Sequence, residues 1–169
     1  MRTKYPFPVM LIHWLTFFAV LIAYFSSGNP TVHQFSGEIH VFFGVSVFLL
    51  SCLRIFIVYM YRQDLPVNKP FNKYQNFLFF LVKYTLYLCM FLTPFLGWLA
   101  LSSLTDSYQL FGVNFPLNNS ILDVENISEI HQFLGNFFMI IIGLHASAAL
   151  LHHYVLKDNV LKSMLYFKK

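Results

Sequence analysis

Residues 128–155 read SEIHQFLGNFFMIIIGLHASAALLHHYV, and this stretch decides the fold. It contains one Asp, Glu, Lys or Arg residue, Glu129. About 20 mostly apolar residues are enough for a helix to cross the hydrocarbon core of a bilayer. Two of its histidines, His131 and His145, lie fourteen residues apart within the apolar run. The stretch therefore predicts a membrane-spanning helix that carries imidazole rings into the bilayer.

The whole chain has the composition of a membrane protein. Of its 169 residues, 57% are hydrophobic and 11% are charged, whereas soluble domains average about 25% charged residues. Four apolar segments are long enough to span a bilayer: residues 8–27, 38–61, 75–102 and 128–155. No internal repeat or low-complexity tract interrupts them. The sequence predicts one domain over residues 1–169, an all-α integral membrane four-helix bundle.

The charged residues predict an orientation. The basic residues lie in or beside the N-terminus, the second connection and the C-terminus; they are Arg2, Lys4, Arg54, Arg62, Lys69, Lys73, Lys83, Lys157, Lys162, Lys168 and Lys169. Five acidic residues lie on or near the opposite side, where the connections hold no Lys or Arg: Glu38, Asp106, Asp123, Glu125 and Glu129. Because Lys and Arg mark cytoplasmic loops, both termini are predicted to be cytoplasmic. This asymmetry also explains the pI of 9.1 without a nucleic-acid partner.

Four histidines are predicted to pair at two depths. The 14-residue spacing separates His131 from His145 by about 21 Å along one helix face. His40 enters from the same side as His131, and His13 from the same side as His145. Two neutral imidazoles on opposite sides of a macrocycle are a ligand set that haem iron accepts. The spacing predicts two stacked haems, ligated by His13 with His145 and by His40 with His131.

The alternative for each histidine is a hydrogen bond within the bundle. Several neighbouring residues agree with the haem hypothesis and have alternatives of their own. Gly44 and Gly135 each follow a predicted ligand by four residues and leave room for a flat ring, or else allow close helix packing. Arg54 is predicted level with His145, to pair with haem propionates or to extend its charge to the interface. No C-x-x-C-H motif is present, so covalent attachment of haem is not expected.

The C-terminal end of the fourth segment carries two adjacent histidines. His152 follows His145 by seven residues, two turns along the same face. Because histidine titrates near neutral pH, we expect His152 to donate to a quinone carbonyl or to pass it a proton. The alternative is that His152 and His153 form an interfacial pair near lipid headgroups. His33 lies in a loop and receives no role.

The chain resembles the bacterial four-helix cytochrome b561 family along nearly its whole length. The resemblance is carried by YPFPVMLIHW at residues 5–14, IHVFFGVSVFLLSCLR at 39–54 and the Leu86-Tyr87…Pro94-x-x-Gly97 run. The most specific piece is GLHASAALLHHYVLKDN at 143–159. The resemblance implies two non-covalent b-type haems on the four histidines named above. It also implies a bacterial inner-membrane location.

The family resemblance further implies a quinone, ubiquinone in one proposed activity, near the cytoplasmic haem. It implicates His152 there, with Lys69 or Lys73 of the second connection. Family members link an outer electron donor to membrane quinone, and one proposed activity is superoxide oxidation with ubiquinone reduction. Here the chain departs from a simple fit, because acidic outer loops without Lys or Arg repel an anion.

Two other classes of protein remain as alternatives. The first is a non-catalytic haem-bearing anchor or electron-relay subunit of a larger dehydrogenase or hydrogenase, which needs a partner enzyme outside. The second is a metal or proton transporter whose histidines bind Zn²⁺, although each predicted level offers only two of the clustered ligands that zinc prefers. The sequence leaves the outer donor and the oligomeric state open.

Overall fold

The computed structural model describes residues 4–28, 30–31, 34–66, 72–118 and 126–165. Its long helices are α1 (Phe7–Phe25), α2 (Gln34–Met60), α3 (Lys73–Leu104) and α4 (Ile127–Tyr154). Shorter elements are strands β1 (Tyr108–Leu110) and β2 (Val113–Phe115) and helix α5 (Val160–Ser163). Each long helix has the length and apolar composition to cross a membrane, which confirms the prediction of four such helices. The sides on which the termini lie remain a prediction.

The helix ends differ from the predicted ones by one to four residues. The largest difference is at the start of α2, where the helix includes a polar first turn that hydropathy leaves out. There the Gln34 side-chain amide donates to a Glu38 carboxylate oxygen at 3.4 Å, one turn along the helix. At α3 the Asn72 backbone N–H donates to Gln75 Oε1 at 3.2 Å, half of a capping box that begins the helix.

The third connection contains a short β-hairpin, which the sequence did not predict. Strands β1 and β2 are antiparallel, with Tyr108 opposite Phe115. The two turn residues, Phe111 and Gly112, have φ of 50° and 80°, as a two-residue hairpin turn of type I′ requires. The sequence signal was weak because Phe-Gly replaces the usual Asn-Gly. The Phe111 ring lies 5.8 Å from that of Phe42, so the hairpin rests on α2.

The long helices pack in sequence order. Helix α1 packs on α2, α2 on α3 and α3 on α4, whereas α4 makes no extended backbone contact with α1 or α2 within the described part of the chain. The buried core nevertheless draws on all four helices; it consists of Ala19, Val20, Val47, Cys89, Met90 and Phe138. Phe138 is seven residues from both His131 and His145, hence on their face of α4. The bundle therefore closes at this level, between the two predicted histidine pairs.

Phe138 provides a test of this core. Its side chain is 5% exposed, and Phe138→Ala is expected to cost about 3–5 kcal/mol of unfolding free energy because it leaves a cavity among four helices. The neighbouring Phe137 is 37% exposed, so Phe137→Ala should cost less than about 1 kcal/mol. Unfolding in mixed micelles, followed by circular dichroism during titration with sodium dodecyl sulfate, measures both. Equal losses for the two variants would contradict the packing described.

Candidate functional site

Two pairs of histidine rings face each other across the bundle. His13 of α1 and His145 of α4 have ring centres 6.3 Å apart, with the ring planes at 70°. His40 of α2 and His131 of α4 have ring centres 6.0 Å apart, at 79°. These are the pairs that the sequence spacing predicts. In each pair one ring belongs to α4 and the other to a helix whose backbone makes no extended contact with α4.

The rings of His40 and His131 are fixed by hydrogen bonds to helix backbones. His40 Nδ1 lies 2.7 Å from the Ala23 carbonyl oxygen. That oxygen is available because the last four carbonyls of a helix lack partners within it, and Ala23 is in the last turn of α1. His131 Nδ1 lies 3.0 Å from the Thr93 carbonyl oxygen of α3. A carbonyl only accepts, so each Nδ1 carries the proton and each Nε2 keeps its lone pair.

A glycine of α3 makes room for the His131 ring. A methyl group added at Gly97 would lie 2.9 Å from His131 Cε1 and 3.3 Å from Nδ1, closer than such contacts allow. At Gly44 and Gly135 an added methyl group would meet no atom within 4 Å. The close helix packing considered for those two glycines is therefore not found. Sequence reasoning singled out Gly44 and Gly135 and gave Gly97 no role, because the contact that matters joins α3 to α4.

The other pair lies beside buried polar atoms that have no partner among the described residues. They include His13 Nδ1 and Arg54 Nε. Arg54 is close enough to act electrostatically on both His13 and His145, which places it at their level. Its guanidinium carbon lies 5.8 Å from the centre of the Tyr87 ring.

Tyr5 closes this end of the bundle from the N-terminal side. Burial raises the pKa of the Tyr5 hydroxyl above its usual value of 10.0, and the nearby charge of Arg54 partly offsets the effect. The hydroxyl therefore stays protonated near neutral pH. The Tyr5 backbone N–H donates to the Ser163 carbonyl at 3.0 Å, and Trp14 Nε1 donates to the Met164 carbonyl at 3.0 Å. The C-terminal segment is thereby held against the start of α1.

The residues predicted to contact a quinone lie in different surroundings. His152 Nδ1 lies 2.5 Å from Asp158 Oδ2, a partner that sequence reasoning missed. The adjacent His153 has a buried Nδ1 with no described partner, and its ring contacts Tyr154. Lys73 is exposed at the first residue of α3. Lys69 and His33 lie outside the described residues.

Clustered ligands for a metal ion such as zinc are absent from the described part of the chain. No three residues of the types His, Cys, Asp and Glu lie in an arrangement that could hold one there. The histidines come in twos, which suits a metal whose remaining ligands belong to a cofactor. The zinc-transporter alternative receives no support from these residues.

Comparison with known proteins gives a family match that covers nearly the whole chain. The model of the prokaryotic cytochrome b561 family matches residues 4–167. The chain belongs to the prokaryotic cytochrome b561 family. This confirms the resemblance seen in the sequence. A protein of Yersinia pestis named "Probable superoxide oxidase CybB" is 33% identical, with 100% of this chain and 99% of that protein aligned. "Cytochrome b561 homolog 1" of Escherichia coli (strain K12) is 30% identical, with 94% of each chain aligned.

As a cytochrome b561, the chain is a multi-pass bacterial membrane protein of electron transport that binds b-type haem. The protein contacts membrane lipid, and membership of this family indicates that it exchanges electrons with redox partners. The number of haems, their ligands and the identity of the partners go beyond the family assignment.

The contact between Gly97 and His131 yields a prediction for this cytochrome b561. Gly97→Ala should displace the His131 ring, because the methyl group overlaps it. We expect a changed absorbance spectrum or a lower content of bound haem per polypeptide, measured on detergent-purified protein. Gly143→Ala is the matched control, since an added methyl group there meets nothing within 4 Å. A Gly97→Ala spectrum and haem content identical to those of the control would contradict the prediction.

Proposed function

We propose that the protein is a diheme cytochrome that carries electrons across the bacterial inner membrane between a redox partner on the outer side and membrane quinone on the cytoplasmic side. The observation that carries the proposal is the presence of two facing histidine pairs, each with one member on α4. The proposed axial ligands are His13 with His145 and His40 with His131. Both termini lie in the cytoplasm in this proposal.

The separations of the rings support this ligand assignment. An imidazole nitrogen lies about 2.1 Å from a bound transition-metal ion and about 1.2 Å from its own ring centre, so two rings on opposite sides of one ion have centres about 6.5 Å apart. The observed separations are 6.3 Å and 6.0 Å. The protonated Nδ1 atoms of His40 and His131 add support, because their Nε2 lone pairs are the ones left for iron.

The surroundings of the pairs also favour a flat cofactor with carboxylate arms. The open space at Gly44 and Gly135, one turn from His40 and His131, accommodates a macrocycle. The buried, unpartnered Nε of Arg54 at the level of His13 and His145 suits a propionate, because guanidinium–carboxylate hydrogen bonds are strong. Bound haem supplies one-electron chemistry, while these residues hold it and set its charge environment.

The quinone site is proposed at the cytoplasmic mouth of α4. His152 is on the α4 face of His145, two turns further along, and its Nδ1 proton is engaged by Asp158. Nε2 is the atom that we propose to meet a quinone oxygen. Lys73 and Lys69 are secondary candidates: Lys73 begins α3 at the same end of the bundle, and Lys69 belongs to the connection before it.

Superoxide is a second candidate for the outer donor. The observation in its favour is the similarity to the Yersinia pestis protein whose name includes superoxide oxidase. The charge of the outer side acts against it, since that side holds five acids and no Lys or Arg in its connections. Like charges slow the encounter of an anion with a protein, and salt reduces the effect.

Substitution of single histidines tests the ligand assignment. We expect each of His13→Ala, His145→Ala, His40→Ala and His131→Ala to retain one haem per chain in place of two, because the partner imidazole alone holds the metal weakly. The pyridine haemochrome assay measures haem per polypeptide. His153→Ala serves as the control and should keep two haems. A ligand variant that retains both haems would exclude that histidine from the assignment.

The proposed activity is tested by the exchange of electrons with quinone. Dithionite-reduced protein, freed of excess reductant, should be reoxidised by ubiquinone-1 in detergent, and the α-band of the ferrous haems reports the reaction. Conversion of one quinone to quinol takes two electrons and two protons, and the haems that the two histidine pairs would hold would supply the two electrons. Haems that stay reduced under argon in the presence of ubiquinone-1 would contradict the quinone half of the proposal.

The second candidate uses the oxidised protein in the same assay. If superoxide is the donor, it should reduce the ferric haems, with a rate that rises with ionic strength because of the acidic outer side. Superoxide dismutase, added as the control, should abolish the signal. Failure of superoxide to reduce the haems would remove it as the donor and leave the quinone reaction unaffected.

A further inference from the structure

The turn that follows α4 brings Asp158 back onto His152. Lys157 has φ of 52°, a left-handed conformation that is unfavourable for a residue with a side chain, and it reverses the chain. The Asp158 backbone N–H then donates to the His152 carbonyl at 3.0 Å. The Asp158 carboxylate accepts from His152 Nδ1 through Oδ2 at 2.5 Å and from the Val160 N–H through Oδ1 at 3.0 Å. Three hydrogen bonds hold the aspartate in place.

We propose that Asp158 is a positioning residue that makes His152 the proton donor to the quinone. This inference rests on the quinone half of the proposed function and names a residue that acts through His152. A carboxylate on Nδ1 fixes that nitrogen as protonated and orients the ring, so that Nε2 is the nitrogen presented to the ligand.

The placement of the pair suits the movement of protons between water and the site. The side chains of His152 and Asp158 are 22% and 25% exposed, so the pair lies at a boundary and is in reach of solvent. Other titratable groups at this end of the described structure include His153 on α4, Lys157 in the turn, Lys162 on α5, Lys73 at the start of α3, Lys4 and Tyr5 before α1, Arg54 in α2, and Arg62 and Asp64 after α2. Asp158 is the anionic group that contacts His152 directly.

Conversion of a quinone to a quinol takes two electrons and two protons. The haems that the four histidines would hold in the proposed function would supply the electrons. His152 gives the proton on Nε2 to a quinone oxygen and keeps the Nδ1 proton on the Asp158 carboxylate. Water at the exposed side of the pair returns a proton to Nε2. A second transfer from the reprotonated Nε2 supplies the second proton.

A purely structural role for Asp158 would need only one of its two carboxylate oxygens. To hold the turn that leads into α5 the residue needs only Oδ1, which accepts from the Val160 N–H. The second oxygen is directed at the imidazole. The turn therefore does more than start the next helix, and the effect of the charge on His152 is separable from the effect of the turn.

The experiment compares Asp158→Asn with wild-type protein in the reoxidation assay with ubiquinone-1 across pH 5.5–9. The amide retains a hydrogen-bonding oxygen but lacks the charge. We expect the reoxidation rate near pH 7.5 to fall about tenfold or more. Asp158→Glu should restore part of the rate. In the His152→Gln background, Asp158→Asn should have little further effect, because the two residues act as a unit.

The controls separate this inference from the proposed function. Asp106→Asn makes the same chemical change in the third connection, at the other end of the bundle, and should leave the rate unchanged. Haem content and the reduced spectrum should be normal in Asp158→Asn. A wild-type protein that reacts with ubiquinone-1, together with an Asp158→Asn variant of equal rate and pH profile, would overturn this inference alone. A wild-type protein that does not react would overturn the quinone half of the function and this inference with it.

Discussion

The hydrogen bonds from His40 Nδ1 to the Ala23 carbonyl and from His131 Nδ1 to the Thr93 carbonyl join all four long helices at one end of the bundle. The first connects α2 to α1, the second connects α4 to α3, and the two rings then face each other at 6.0 Å. In hydrocarbon an imidazole N–H without an acceptor is costly. The bonds therefore fix the tautomers and ring positions together, and Gly97 on α3 allows the required approach.

The opposite end of the bundle is organised differently. There the Nδ1 atom of His13 and the Nε atom of Arg54 are buried without partners among the described residues. Buried polar atoms of this kind carry a free-energy cost that a ligand with carboxylate groups offsets. The C-terminal segment holds that end together through bonds to Tyr5 and Trp14, which lie next to the predicted ligand His13. The protein thus preorganises one histidine pair internally and leaves polar atoms of the other end for the cofactor.

The helices and the pairing of the histidines were accessible to sequence reasoning because both depend on regular geometry. Apolar length predicts a spanning helix, and 14 residues return an α-helix to nearly the same face, so the relation of His131 to His145 could be calculated. Gly97 and Asp158 were not accessible in this way. Gly97 matters through its approach to a ring on another helix, and Asp158 matters because a left-handed residue, Lys157, reverses the chain. The hairpin was not predicted for a related reason: Phe111 adopts a turn conformation that its residue type disfavours.

The placement of proton-carrying groups gives the two ends different chemistry. The His40–His131 pair, which is on the outer side in the proposed function, has its Nδ1 protons bound to backbone carbonyls, which neither accept a proton nor release one at neutral pH. An electron that enters there does so without an obligatory proton, as suits a one-electron donor. The opposite end, which is cytoplasmic in the proposed function, has the His152–Asp158 pair at the boundary with solvent, and quinone reduction consumes protons. About 21 Å of α4 separates the levels of His131 and His145, with Phe138 buried between them. In the proposed function, electron entry and proton uptake are thus kept on opposite sides of a packed apolar layer, and only the haem stack connects them.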